Sequence, residues 1–152
     1  MKLSSSAFNN GGTIPERFGR DYDNINPPLL IEEVPSDAVS LVLFMYDPDV
    51  PPAAGVPVWD HWVVFNIPAD IRIIHEGWKT TGVRGQGTRG ELDYGGPRPP
   101  DREHRYFFRV YALDAMLDLP EGSNKQQVSN AVNGHVLETA ELMGRYAPPL
   151  DK

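Results

Sequence analysis

Asp47-Pro48-Asp49, Asp60-His61 and His104-Arg105-Tyr106 each stand at one end of an apolar run. The run 41–46 exits into Asp47-Pro48-Asp49-Val50-Pro51, Asp60-His61 leads into 62–67, and His104-Arg105-Tyr106 leads into 107–113. Short apolar runs bounded by turn residues read as buried strands. If the first strand leaves a sheet at the edge where the other two enter, carboxylates, two imidazoles and a phenol gather at one rim. An imidazole beside a carboxylate tends toward its protonated form, because the opposite charge favours it. Protonated His61 and His104 would donate to an anion, and the Tyr106 phenol would add a donor. Gly95-Gly96 would let backbone N–H groups approach the same guest. Phosphate or carboxylate is the natural occupant of such a hollow.

Each motif also has a plainer reading. Asp-Pro-Asp is ordinary turn chemistry, and a lone strand-end His is more often a structural hydrogen-bonding group. Other chemistries find less support. The chain has no cysteine, and no Ser sits in a Gly-x-Ser-x-Gly elbow. Two His and two Asp suit a metal, but His-x-His and His-x-x-x-His spacings are absent. An acid–base pair of Asp47 and His61 has no nucleophile to serve. The residues therefore suggest binding without turnover, and no catalytic residue, metal or cofactor is assigned.

The elements behind this rim are mostly β. Gly (14) and Pro (15) recur as punctuation between short apolar runs in a chain of 152 residues, the pattern of a β domain. Strands are expected at 40–46, 62–67, 106–113 and 29–33, with a weaker one at 71–78. Strand alternation puts Asp47 on the face of Leu41, Leu43 and Met45. It puts His61 with Val63, Phe65 and Ile67, and His104 with Tyr106, Phe108 and Val110. A charged or imidazole group on an apolar face needs a partner, and these three could supply one another. The first three strands are apolar on both faces, so both faces should be covered. The segment 82–94 reads as a long loop. Ser123 reads as a helix N-cap. Val128, Val132, Val136, Leu137, Ala140, Leu142 and Met143 fall near helical spacing, so two helical segments meeting at Asn133-Gly134 are expected. No repeat or linker breaks the chain, which reads as one domain over 1–152.

Composition narrows the partners. With 40% hydrophobic and 23% charged residues, the chain is ordinary globular material. Its formal charge of −7 disfavours nucleic acid. The N-terminus lacks the apolar core of a signal peptide, and no stretch is long enough to span a bilayer. A cysteine-free chain suits a cytoplasmic location. Arg84, Arg89, Arg98, Arg102 and Arg105 cluster around the loop region. They are either a solvated surface or a field that draws an acidic ligand to the rim. Oligomeric state is open.

Together, Asp47-Pro48-Asp49-Val50-Pro51, Trp59-Asp60-His61-Trp62, Tyr94-Gly95-Gly96-Pro97-Arg98-Pro99-Pro100 and His104-Arg105-Tyr106 resemble the phosphatidylethanolamine-binding protein family, which includes the Raf kinase inhibitor protein. Ala7-Phe8, Ile14-Pro15, Asn66-Ile67-Pro68, Tyr111-Ala112-Leu113-Asp114 and Gly134-His135-Val136-Leu137 extend the resemblance over nearly the whole chain, closest to the compact bacterial and archaeal branch. It implies a β-sandwich with a large central sheet, a smaller second sheet, and flanking short helices including a C-terminal helical segment. It also implies a small anion pocket built from Asp47, Asp49, His61, Gly96, His104 and Tyr106. The implied ligand is phosphate or a phospholipid headgroup, and some members of the family inhibit kinases or serine proteases. An inhibitor acting through loop 82–94 is therefore a second reading, and a hydrolase a third. The chain departs from the family pattern at Arg98, where a small residue is usual, and at Arg102, where Gly is usual. A position needing φ > 0 is strained as Arg, so loop 101–103 is expected to take another path. The chain stops soon after Tyr146, so the extra C-terminal helix of longer relatives is not expected.

Overall fold

The β-branched and aromatic runs form the centre of the molecule, as seen in a computed structural model that describes residues 1–149. Strands β3 (Ser40–Asp47), β4 (Trp59–Pro68) and β7 (His104–Leu113) lie side by side in a five-stranded sheet. Its order is β6-β4-β3-β7-β8, with β6 at Val83–Arg84 and β8 at Val136–Tyr146. Each named pairing in it is antiparallel. A three-stranded sheet of order β1-β2-β5 contains β1 (Lys2–Ser4), β2 (Leu29–Glu32) and β5 (Ile73–Ile74).

Both faces of the large sheet are covered, as the two-sided apolar strands require. On one face Leu41, Leu43, Met45, Val64, Tyr106, Phe108 and Val110 pack with Leu3, Leu29, Ile31 and Ile74 of the small sheet. On the other, Val42, Phe44, Val63 and Phe65 pack with Val128 of helix α1 (Lys125–Ala131) and with its C-cap residue Val132.

The chain between 123 and 146 departs from expectation twice. Helix α1 is capped by Asn124 rather than Ser123. The Asn124 side chain accepts from Gln127 N at 2.9 Å, and Gln127 Oε1 accepts from Asn124 N at 2.8 Å, which closes a capping box. The second helical segment is instead β8, paired with β7 from Leu113↔Val136 to His104↔Tyr146. Val136 and Ala140 fit a helical spacing, but Ala140, Leu142, Gly144 and Tyr146 are buried at period two. That register gives β7 its second neighbour, and tertiary pairing overrides the local spacing. Elsewhere the weak strand at 71–78 shrinks to β5, and loop 82–94 contains β6.

Strand β4 carries two irregularities that aim its side chains. Met45 faces Trp62 while Tyr46 faces Asp60, and Leu41 faces Ile67 while Leu43 faces Val64. Each shift leaves an extra residue on β4, the signature of a bulge. Asn66 takes φ 51 at the second one, and its side chain exchanges two hydrogen bonds with Leu117 at 2.8 and 2.7 Å. Val63 and Phe65 therefore face α1, while Trp62, Val64 and Ile67 face the small sheet. The first bulge breaks the simple alternation expected for His61.

Candidate functional site

Strand direction creates the site. Asp47 ends β3, and β4 and β7, both antiparallel to β3, begin at the same edge. A cavity of about 810 Å³ opens there. Asp47, His61, Gly95, Gly96, His104 and Tyr106 line it, with Arg20, Arg89 and Glu91. Val50, Pro51, Ala53, Ala54, Trp59, Pro99 and Pro100 form an apolar wall. The hollow is thus larger and less polar than the sequence suggests.

His104 is fully buried, and both of its ring nitrogens meet carboxylates. Nδ1 lies 2.6 Å from Asp47 Oδ2 and Nε2 lies 2.7 Å from Asp101 Oδ1. A ring that serves two carboxylates must donate from both nitrogens, unless one carboxyl carries the proton. Burial pushes the Asp47 carboxyl above its usual range, and the bond from His104 pulls the other way. Asp47 Oδ1 also accepts from the Asp49 N–H at 2.7 Å, which fixes the turn after β3.

His61 behaves differently. Because the bulge turns it toward the small-sheet side, its ring packs edge-on to Tyr106 with centroids 5.3 Å apart, instead of sharing a face with Val63 and Phe65. Nδ1 lies 2.8 Å from the Gly95 carbonyl, which can only accept, so Nδ1 carries the hydrogen. Nε2 is buried without a hydrogen-bond partner. Burial pushes its pKa down to about 4, and Arg89, Arg20 and His104 add to the depression against the opposing Gly95 bond. The imidazole is therefore neutral at neutral pH, contrary to the protonated ring expected from nearby carboxylates. Its exposed chemistry is a lone pair, not a donor.

The other expected residues take distinct places. Tyr106 is buried beside both imidazoles, with its ring 6.3 Å from that of His104, and burial raises its phenol pKa. Asp49 is not among the residues that line the cavity. It takes a two-pronged bond from Arg105 at 2.8 and 2.9 Å and a third from the Arg105 N–H at 2.9 Å. Those bonds hold its carboxyl down at about 2, and they staple the turn after β3 to the start of β7. The backbone donors of the glycines are committed: Gly95 N–H to the His61 carbonyl at 3.0 Å, and Gly96 N–H to Asn24 Oδ1 at 2.7 Å. Gly96 is needed for packing, since a Cβ there would collide with the Phe18 carbonyl and the Arg20 backbone nitrogen.

The basic cluster is neutralised locally. Arg84 pairs with Asp93, Arg89 with Glu91, Arg98 with Asp21, Arg102 with Asp101 and Arg105 with Asp49. Arg20 holds both oxygens of Glu91 at 2.8 and 3.0 Å. Loop 82–94 is tied down as a cavity wall, with Gly87 N–H to the Glu91 carbonyl and Thr88 N–H to the Asp60 carbonyl, both at 2.9 Å. Arg102 is not among the described residues with positive φ, so loop 101–103 runs without that strain. Among the described residues, no three His, Asp or Glu side chains are grouped to hold a metal ion.

Sequence reasoning missed Arg20, Glu91, Trp59 and Asp101. Asp101 had a readable signal, an acid three residues before His104. Arg20 and Glu91 are far apart in sequence and had none.

Comparison with known proteins agrees with this architecture. The family model for phosphatidylethanolamine-binding protein matches residues 4–147. A UPF0098 protein of Chlamydia trachomatis is 44% identical over 147 residues, covering 96% of this chain and 98% of the relative. A UPF0098 protein of Methanothermobacter thermautotrophicus is 47% identical over 152 residues, with the same coverage. The crystal structure of a phosphatidylethanolamine-binding protein homolog from Chlamydia trachomatis superposes with a TM-score of 0.93 at 44% identity, covering 95% of each chain. That of E. coli YbcL, described as a new member of the mammalian PEBP family, gives 0.83 at 29% identity over 95% of this chain and 96% of that one. A two-sheet sandwich, a rim assembled at the ends of β3, β4 and β7, and a family match over nearly the full length lead to one conclusion: the chain belongs to the phosphatidylethanolamine-binding protein family.

Proposed function

We propose that this protein is a non-catalytic binding protein for a phosphate-type group, whether free phosphate or the headgroup of a phospholipid. The observation that carries the reading is the cavity at the end of the large sheet, with the unpartnered His61 Nε2 in its lining beside His104 and Tyr106. Arg20 and Arg89 in the same lining share one carboxylate, Glu91, and so leave positive charge in excess there. The apolar wall suits the carbon portion attached to a headgroup, as ligand pockets combine apolar surface with a few placed polar groups. Asp101 occupies the outer nitrogen of His104, so an incoming anion shares or displaces that contact.

The inhibitor reading assigns the activity to loop 82–94. That loop contributes Gly87, Arg89 and Glu91 to the cavity lining, which supports the pocket as the working feature. A kinase or other signalling partner, on this reading, would respond to the occupied pocket.

A ligand that binds only the native state raises its stability. Inorganic phosphate and phosphoethanolamine, each added in millimolar excess, should raise the melting temperature of the wild-type protein and not of His61→Ala. Equal stabilisation of both proteins would remove the site from this cavity.

A further inference from the structure

His61 narrows the chemistry of the guest further than the fold does. Its Nδ1 is committed as a donor to the Gly95 carbonyl at 2.8 Å. Its Nε2, buried and unpartnered, presents a lone pair. A buried acceptor left without a donor costs free energy, so the guest that fits this nitrogen must bring a hydrogen. The charged groups around the ring restrict which donor that is. Arg20 and Arg89 from the two wall loops and His104 from β7 all act on His61 as positive neighbours. Asp47 from β3, Asp60 of β4 itself and Glu91 also line the cavity. However, Asp47 is engaged with His104, Glu91 with Arg20, and Asp60 lies 3.4 Å from Lys125 Nζ. Arg20 and Arg89 share the single carboxylate of Glu91, which leaves positive charge in excess beside His61 and favours an anion over an ammonium donor.

We propose that the pocket selects an oxyanion that still carries a hydrogen: a phosphomonoester or inorganic phosphate, held with its P–O–H donating to His61 Nε2. This rests on the phosphate-type reading above and narrows it to free phosphate and phosphomonoesters, over the phosphodiester of an intact phospholipid. A phosphodiester anion has only acceptor oxygens. It meets the lone pair of His61 unless the ring itself takes up a proton, a step that costs free energy because burial depresses the pKa of that ring to about 4 in the unliganded protein. A monoester has its second ionisation near pH ~6, so below that pH it carries the hydrogen that the ring nitrogen lacks. The complex then holds one proton between ligand oxygen and ring nitrogen. Above the second ionisation of the ligand, binding must take that proton up from solvent.

The test uses the whole chain, with methyl phosphate and dimethyl phosphate as probes, in calorimetric titrations. At about pH 5.5 both probes are chiefly monoanions, given a monoester second pKa of ~6, so charge is matched and only the hydrogen differs. Methyl phosphate should bind roughly 10- to 100-fold more tightly, the range expected when a buried acceptor goes unsatisfied. Its affinity should fall about tenfold per pH unit above ~7, the slope for uptake of one proton. In His61→Gln the amide can present either a donor or an acceptor, so the preference should shrink and the pH slope should flatten. A 15N spectrum of wild-type His61 with methyl phosphate bound gives a readout independent of that variant, and its Nε2 signal should shift as it gains a hydrogen bond. Equal binding of the two probes, or methyl phosphate affinity that stays level or rises with pH, would overturn the selectivity and leave the phosphate-type reading standing. Binding of neither probe would remove both.

Discussion

Asp101 Oδ1 sits 2.7 Å from His104 Nε2, the ring nitrogen left over once Nδ1 is bound to Asp47. A carboxylate of the chain itself thus holds the donor that a bound anion would use. The contact lowers the Asp101 carboxyl pKa, and the Asp101 side chain is partly exposed on the rim.

On the proposed binding reading, Asp101 competes with the guest. Apparent affinity falls by the fraction of molecules in which the donor is free. Asp101→Asn weakens the competing charge, so inorganic phosphate should bind about 3- to 10-fold more tightly, the scale of one charge-assisted bond at a partly solvated site. Titration calorimetry reads this directly. Weaker binding in the variant would mean that Asp101 holds His104 in place for the ligand instead of competing with it.

His61 links stability to pH. Its folded pKa of about 4 lies below the ordinary value of 6.5, so below about 6.5 the unfolded chain binds the proton that the native ring refuses. Stability from this group is complete above about 6.5 and is lost as pH falls toward about 4. Over the whole window the loss should approach ~3 kcal/mol. Urea unfolding of wild type and His61→Gln from pH 4 to pH 7 should show a steeper slope for the wild type. Parallel slopes would place the titration elsewhere.

Asp49 acts in a lower window. Its carboxyl, held at about 2 by Arg105, sits below its ordinary value of 3.8, so its contribution is present above about 4 and is lost as pH falls through about 2. Arg105 is half exposed, so water screens the pair, and Asp49→Asn should cost about 1 kcal/mol at neutral pH. The cost should shrink toward zero in acid. A cost independent of pH would assign it to packing.

Adjacent glycines should respond unequally. A Cβ at Gly96 meets backbone of Phe18 and Arg20, while at Gly95 its nearest neighbour is the end of the Arg20 side chain at 3.2 Å. Gly96→Ala should destabilise by ~2–3 kcal/mol through overpacking, and Gly95→Ala by under about 1 kcal/mol. Chemical denaturation of the two variants measures the difference.

The strand ends were readable because each depended on a local pattern. An apolar run long enough for one strand, closed by Asp47 or opened by His104, fixes both the element and the end at which its polar residue stands. His61 shows where that logic stops. Alternation assigns its face correctly only for an unbroken strand, and the bulge between Asp60 and Trp62 depends on the register with β3, which no local spacing encodes. Its charge state followed the same path. Carboxylates nearby in sequence suggested a protonated ring, but Asp47 went to His104 and Asp49 to Arg105, and burial decided the outcome. Strand β8 was misread for a related reason. Val136, Ala140 and Leu142 satisfy more than one period, and only the open edge of β7 selects the extended form.

The most direct test of the pocket is a long-range 1H–15N spectrum of the imidazoles during titration with inorganic phosphate at about pH 6.5, near the ordinary His pKa. His61 should begin neutral, with its hydrogen on Nδ1, and its Nε2 resonance should move in a saturable way together with that of His104, while exposed His135 stays still. Saturable binding that leaves His61 and His104 unmoved would contradict a phosphate-type guest in this cavity.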